Sequence, residues 1–161
     1  MHSRIFKIST SPEKDPSFTE FDAPEWFTSE IADYVTDSDL EQDRDFLDGL
    51  FEDNPYMTLT EERTDDGHVY YKWDITDIKQ AQQAYFRERF NAFKKEANDI
   101  SLEDFSGSDF RTYSLGRTIL QRFDLYMADG HEWTPMDSFI RALSHYNTQT
   151  FYIVASLDYH Y

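Results

Sequence analysis

The sequence predicts an α+β fold: a mainly antiparallel sheet with about four helices packed on one face of it, in a single domain. Three observations point there. Segments of period two and segments of period 3.6 come in runs, not in a regular β-α-β-α alternation. A chain of 161 residues and 19.2 kDa suits one hydrophobic core. Its 14 Phe, 11 Tyr and 3 Trp supply ample material to fill that core.

Residues 3–9 form a short strand. Pro24 suits the first turn of a helix with Asp22 as a cap just upstream, and Phe27, Ile31, Tyr34 and Val35 repeat at the spacing of an amphipathic stripe. A second helix opens at Ser38-Asp39-Leu40-Glu41, which has the S-x-x-E form of a capping box. Leu40, Leu47, Leu50 and Phe51 give it an apolar side, and Asn54-Pro55 stops it. Tyr56–Arg63 and His68–Asp74 alternate as the strands of a hairpin, with Asp65-Asp66-Gly67 as its turn.

Thr76 is placed to cap a long helix reaching about Asn98, whose inner stripe is Ile78, Gln82, Tyr85, Phe86, Arg89, Phe90, Phe93 and Ala97. Ser106-Gly107-Ser108 reads as loop. Residues 119–128 fit either period, with a strand favoured from about 122 because Asp129-Gly130 follows as a turn. Thr134-Pro135-Met136-Asp137 is a capping pattern with Pro at the first helical position, opening a helix to about Tyr146. Phe151–Tyr159 closes the chain as a strand. No internal repeat of 20–50 residues is evident.

Composition removes several classes of function. With no cysteine there is no disulfide scaffold, thiolate metal site or cysteine nucleophile. The five glycines stand at 49, 67, 107, 116 and 130, too far apart for the common phosphate-binding loops, and G-x-S-x-G is absent. Nothing at the N-terminus resembles a secretory h-region, and the longest apolar run, Phe151–Ala155, is far short of the roughly 20 residues of a membrane span. A cytoplasmic protein of bacterial or phage style is the expectation, with no cofactor.

The formal net charge is −17, and it is unevenly spread. Residues 11–66 hold 19 acids against Lys14, Arg44 and Arg63, whereas residues 67–161 hold 13 acids against 10 bases. Acidic tails that stay disordered lack large apolar side chains. This segment has Phe18, Phe21, Trp26, Phe27, Leu47 and Phe51 among others, so most of it is expected to fold.

On a continuous second helix, Glu41, Asp45, Asp48 and Glu52 would fall on one face at i, i+4, i+7 and i+11. At 1.5 Å per residue that stripe runs about 16 Å. The first helix would add Glu30, Asp33 and Asp37 at i, i+3 and i+7. Like charges at this spacing destabilise a helix by a few tenths of a kcal/mol per pair. Arg44 is the only base between Lys14 and Arg63, so compensation is not local.

The first functional expectation is therefore a non-enzymatic module docking a basic protein surface, such as a nuclease or nucleic-acid-binding protein, with no direct nucleic-acid contact and no membrane. The analogy, on size and charge alone, is with small acidic proteins that imitate DNA, or with immunity proteins. A solvated face that serves only solubility is the plain alternative.

Other patterns point elsewhere. Asp129, His131, Glu132 and His145 could assemble a metal site or an acid–base pair, giving a small hydrolase using His131, Glu132 and His145. Asp37, Asp39, Glu41, Asp43 and Asp45 alternate like calcium ligands, but Gln42 stands where that loop needs glycine and Asp48 where it needs glutamate. Tyr85 to Lys95 mixes bases with aromatics, Arg87, Lys94 and Lys95 falling on the solvent side, turned toward the protein's own acidic half. Exposed Trp26, Trp133 or Tyr159-His160-Tyr161 could instead make a self-associating surface.

Overall fold

The computed structural model describes residues 1–12, 17–107, 110–120, 124–130 and 132–161. It is an α+β single domain built on a seven-stranded, mostly antiparallel sheet. In chain order the elements are β1 (His2–Ser9), α1 (Glu25–Glu30), β2 (Tyr34–Asp37), α2 (Arg44–Gly49), β3 (Met57–Arg63), β4 (Val69–Ile75), α3 (Ile78–Asp99), α4 (Leu102–Ser106), α5 (Phe110–Leu120), β5 (Tyr126–Asp129), β6 (Glu132–Pro135), α6 (Met136–Ala142) and β7 (Thr150–His160). Among the described residues six helices stand where about four were expected, and of these only α3, α5 and α6 reach seven residues. Ser108 of the expected loop and Phe123 of the expected strand lie outside the described residues.

The strands lie in the order β3-β4-β7-β1-β5-β6, with β2 also paired to β7. Among the described residues, only β1 and β5 run parallel. The eleven-residue β7 is the spine. One edge pairs with β1 along nearly its whole length, while Thr150–Ile153 pair with β4 and Leu157–His160 pair with β2.

Both faces of the sheet are covered, not one. Successive strand residues point to opposite faces. Phe6, Ile8 and Met127 pack with Trp73, Phe151, Leu47, Ala81 and Phe139 in the larger core, beneath α2, α3 and α6. Ile5, Tyr126 and Ala128 pack with Phe27, Val35, Trp133, Leu157 and Tyr159 in a second core beneath α1. One irregularity lets β7 serve both. Lys7 pairs with Ala155 but Ile8 pairs with Ile153, so Val154 is an extra residue in the ladder. This bulge moves the inward positions of β7 from one face, Phe151 and Ile153, to the other, Leu157 and Tyr159.

The hairpin forms as read, with Gly67 in its turn at φ +88°, where a side chain would be strained. Several local expectations are corrected. Tyr34 and Val35 leave the helix for β2, because the free edge of β7 satisfies their backbone groups and places Val35 in the second core. Thr76 does not cap α3: its backbone N–H bonds to the Tyr56 carbonyl, and Asp77 accepts from the Gln80 N–H instead at 3.0 Å. The α3 stripe is buried only in its first half. Beyond Phe86 the stripe leaves the core, and Phe90 is 59 % exposed.

Ser106, expected in a loop, instead ends a short helix, α4, in which Ser101 accepts from the Asp104 N–H. The ambiguous stretch divides into α5 up to Leu120 and β5 from Tyr126. Pro135 itself precedes the first turn of α6, and Thr134 belongs to β6, so the Thr134 capping pattern does not form.

Candidate functional site

The acidic residues sort into two groups once the elements that carry them are known. Glu30, Asp33 and Asp37 do not share a helical row. Glu30 ends α1, Asp33 lies in the turn that follows, and Asp37 ends β2. A spacing of i, i+3, i+7 gathers side chains only on a helix, and the chain is already strand at Tyr34. Asp33 Oδ2 lies 3.1 Å from His160 Nδ1, and Asp37 Oδ1 accepts from the Glu20 N–H at 3.0 Å.

The second group surrounds α2, which is much shorter than expected. Ser38 and Glu41 form no capping box, because Asp39 Oδ1 takes the Glu41 N–H at 2.9 Å in a local turn. Asp43 then precedes the helix. It is 2 % exposed, and its carboxylate receives Arg4 Nε at 2.6 Å and Ser38 Oγ at 3.4 Å. Six helical residues span about 9 Å, so Asp45 and Asp48 sit on α2 while Glu41 and Glu52 flank it. The apolar side is as anticipated: Leu40, Leu47 and Phe51 are buried in the larger core.

Glu41, Asp45, Asp48 and Glu52 are all exposed. Glu41 is engaged, its carboxylate 2.8 Å from Arg63 Nη1. Arg63 also reaches Glu61 at 3.3 Å, and Arg44 Nη2 lies 2.7 Å from Glu61. Both arginines of residues 17–66 are thus taken up inside the segment. Among the described residues, Asp45, Asp48 and Glu52 form no ion pair. Between the first two stands Phe46, 44 % exposed, its inner side stacked on Phe6.

The calcium-like alternation does not gather its oxygens around a centre. Asp37, Asp39 and Asp43 face the protein donors just named. Among the described residues, no group of three or more His, Asp or Glu side chains is arranged to hold a metal ion.

The second candidate constellation lies at the β5–β6 turn, where Gly130 has φ +60°. Asp129 and Glu132 face each other across the ladder, and Asp129 Oδ2 accepts from Tyr146 Oη at 2.7 Å. Burial, and then this bond to Asp129, raise the Tyr146 phenol well above its ordinary value. Glu132 and His145 are exposed, and His131 lies outside the described residues.

The proposed self-association surface is corrected in part. Trp133 and Tyr159 are buried in the second core, where Phe27 contacts both rings, so neither is available; Trp26 is 41 % exposed.

Two charged networks had little warning in the local sequence. Arg4 lies between Asp43 and Asp158, the latter at 2.5 Å, and His2 Nδ1 lies 2.8 Å from Asp158. Burial opposes the Arg4 charge, but the two carboxylates outweigh it and hold the guanidinium above its ordinary value. On α3, Tyr85 Oη donates to Asp137 Oδ1 at 2.6 Å, Arg89 Nε reaches the same oxygen at 3.1 Å, and Arg89 Nη2 reaches Asp124 at 2.8 Å. Burial first and the Asp137 charge second raise the Tyr85 phenol far above its usual range, so it remains a donor. The one local signal was an arginine, Arg89, inside an apolar stripe.

No protein-family model, curated protein or solved structure matches this chain. Among the described residues, no helix is long and apolar enough to cross a membrane. Any functional reading therefore rests on the surface itself.

Proposed function

We propose that this protein is a non-enzymatic binding module whose acidic face docks a basic surface on a partner protein, in the manner of DNA mimics and immunity proteins. One observation carries the reading. Asp45, Asp48 and Glu52 stand exposed around α2 without an ion pair among the described residues, while the nearby arginines are spent on Glu41 and Glu61. Repulsion between such carboxylates costs stability, and a row of partner cations relieves it. A field of this kind also speeds encounter with a basic partner and makes binding sensitive to salt.

The geometry sharpens the test. Neutralising Glu41 also breaks its pair with Arg63, so the informative variant is Asp45→Asn, Asp48→Asn, Glu52→Gln. Wild type and variant are used as bait in cell lysate at low and high salt. The reading expects a basic protein, such as a nuclease, to be retained by wild type at low salt and lost in the variant. Equal retention by the two removes α2 as the docking surface.

A further inference from the structure

The exposed side of α3 carries the reverse of the acidic face. A groove of about 690 Å³ runs between α3 and the end of α6, lined by Lys79, Arg87 and Arg141, by Phe86 and Phe90, and by two glutamines. Among the described residues no carboxylate lines it, in a protein of net charge −17. Arg141 lies over the Phe86 ring at 4.8 Å, and Lys94 lies over the Phe90 ring at 5.5 Å. Eight residues along the helix separate Lys79 from Arg87, about 12 Å of cationic surface. Among the described residues, none of Lys79, Arg87 and Arg141 forms an ion pair, so these bases do not neutralise the acidic half of their own chain.

We infer that this groove receives the α2 face of a second copy of the chain, head to tail. The inference rests on the acidic face being a docking surface, and it names a partner for it. The complementarity is both ionic and apolar. Asp45 and Asp48 flank the half-exposed Phe46 on one side, and cations flank Phe86 and Phe90 on the other. Aromatic pairs between opposed charges add ring packing to the ionic attraction. A second copy suits the groove better than a nucleic acid, whose continuous phosphate charge would extend into the negative field of the whole chain. The negative charge of each copy opposes this association too, but charges more than about 8 Å apart are largely screened at physiological salt, so the opposite charges in contact decide it.

Because face and groove are different patches, the contact is heterologous: each docked copy leaves one face and one groove unused, and growth continues unless a ring closes. Self-docking also covers the α2 face, so a basic partner and a second copy compete for it.

The experiment is sedimentation velocity of wild type and two neutralised variants. The face variant is Asp45→Asn, Asp48→Asn, Glu52→Gln; the groove variant is Lys79→Gln, Arg87→Gln, Arg141→Gln. All six positions are exposed, and circular dichroism checks that each variant folds. At about 0.1 M salt wild type is expected to sediment faster as concentration rises, and to return to a 19.2 kDa monomer at about 1 M salt, where the Debye length shrinks from about 10 Å to about 3 Å. Each variant alone is expected to stay monomeric, and an equimolar mixture to form a dimer and nothing larger, because one intact face meets one intact groove. A monomeric wild type, a variant that still associates alone, or a mixture that forms no dimer overturns the inference. Wild type and face variant are also passed over immobilised poly-lysine. If wild type is monomeric yet is retained there while the face variant is not, self-docking fails and the acidic-face reading stands; if the two are retained equally, both fail.

Discussion

Replacing Asp137 tests whether the polar network beneath α3 holds the helices together. Asp137 is 3 % exposed on α6, and its Oδ1 receives Tyr85 Oη at 2.6 Å and Arg89 Nε at 3.1 Å. Removing one member of a buried ion pair costs about 3–5 kcal/mol, because the other charge is left without its partner. Arg89 keeps Asp124 at 2.8 Å and is 26 % exposed, which places Asp137→Ala near the lower end, at about 3 kcal/mol. For a domain of this length each kcal/mol lowers Tm by about 2–4 °C, so the melting point should fall by about 6–12 °C. Tyr85→Phe removes only the hydroxyl, whose bond to a charged acceptor is worth about 1.5–3 kcal/mol. The two changes share one bond, so a double-mutant cycle by urea unfolding should show coupling of about 1–2 kcal/mol. A loss below about 1 kcal/mol for Asp137→Ala, or an additive cycle, would refute the reasoning that this network carries stability.

Deleting Val154 removes the bulge and drives half of β7 onto the wrong face; two large side chains leaving a core cost on the order of 4 kcal/mol or more, and a deletion that unfolds at the wild-type urea midpoint would contradict the assignment of the bulge. Ser156 Oγ is buried with no hydrogen-bond partner among the described residues, so Ser156→Ala should stabilise by about 1 kcal/mol; a lower melting point counts against that. Lys72, and then Thr150, hold the Asp74 carboxyl below its ordinary value. A depressed folded pKa gives stability that is present above the unfolded value near pH 4 and is lost as pH falls through the folded pKa. The side chain is 40 % exposed, so the effect is a few tenths of a kcal/mol. Asp74→Asn should lie that far below wild type at pH 7, and the gap should close once the pH drops below the carboxylate range; a gap of unchanged size at acid pH argues against the ion pair as its source.

The parts of the fold legible in the sequence are those whose signal is local. The hairpin at 56–74 has alternation and a turn residue in one window, the closing strand has β-branched and aromatic residues in a run, and α3 is long enough for its period to dominate. The errors fall where a distant partner decides. Ile31, Tyr34 and Val35 keep a helical spacing, yet β7, more than a hundred residues later, offers an open edge, and ladder pairing wins over a stripe two turns long. Val154 carries no mark of a bulge at all; its role appears only when Lys7 and Ile8 are set beside it.

The same division explains the charge. A count locates the excess in residues 11–66, but it cannot separate carboxylates that serve the fold from those left over, because the bases that claim them come from elsewhere. Arg4 reaches Asp43 across 39 positions, and Arg63 reaches Glu41 across 22. With Asp43, Glu41 and Glu61 assigned to cations, and Asp37 and Asp39 to backbone donors, Asp45, Asp48 and Glu52 around α2 are among the carboxylates left over, as are Glu25 and Asp53. The cations of Lys79, Arg87 and Arg141 undergo the opposite sorting, since among the described residues no carboxylate lines the groove. A fold that pairs its buried charges and leaves an acidic patch and a basic one exposed without ion pairs has room for an intermolecular contact at each. Such a contact must weaken with salt while the fold, held by two apolar cores, does not.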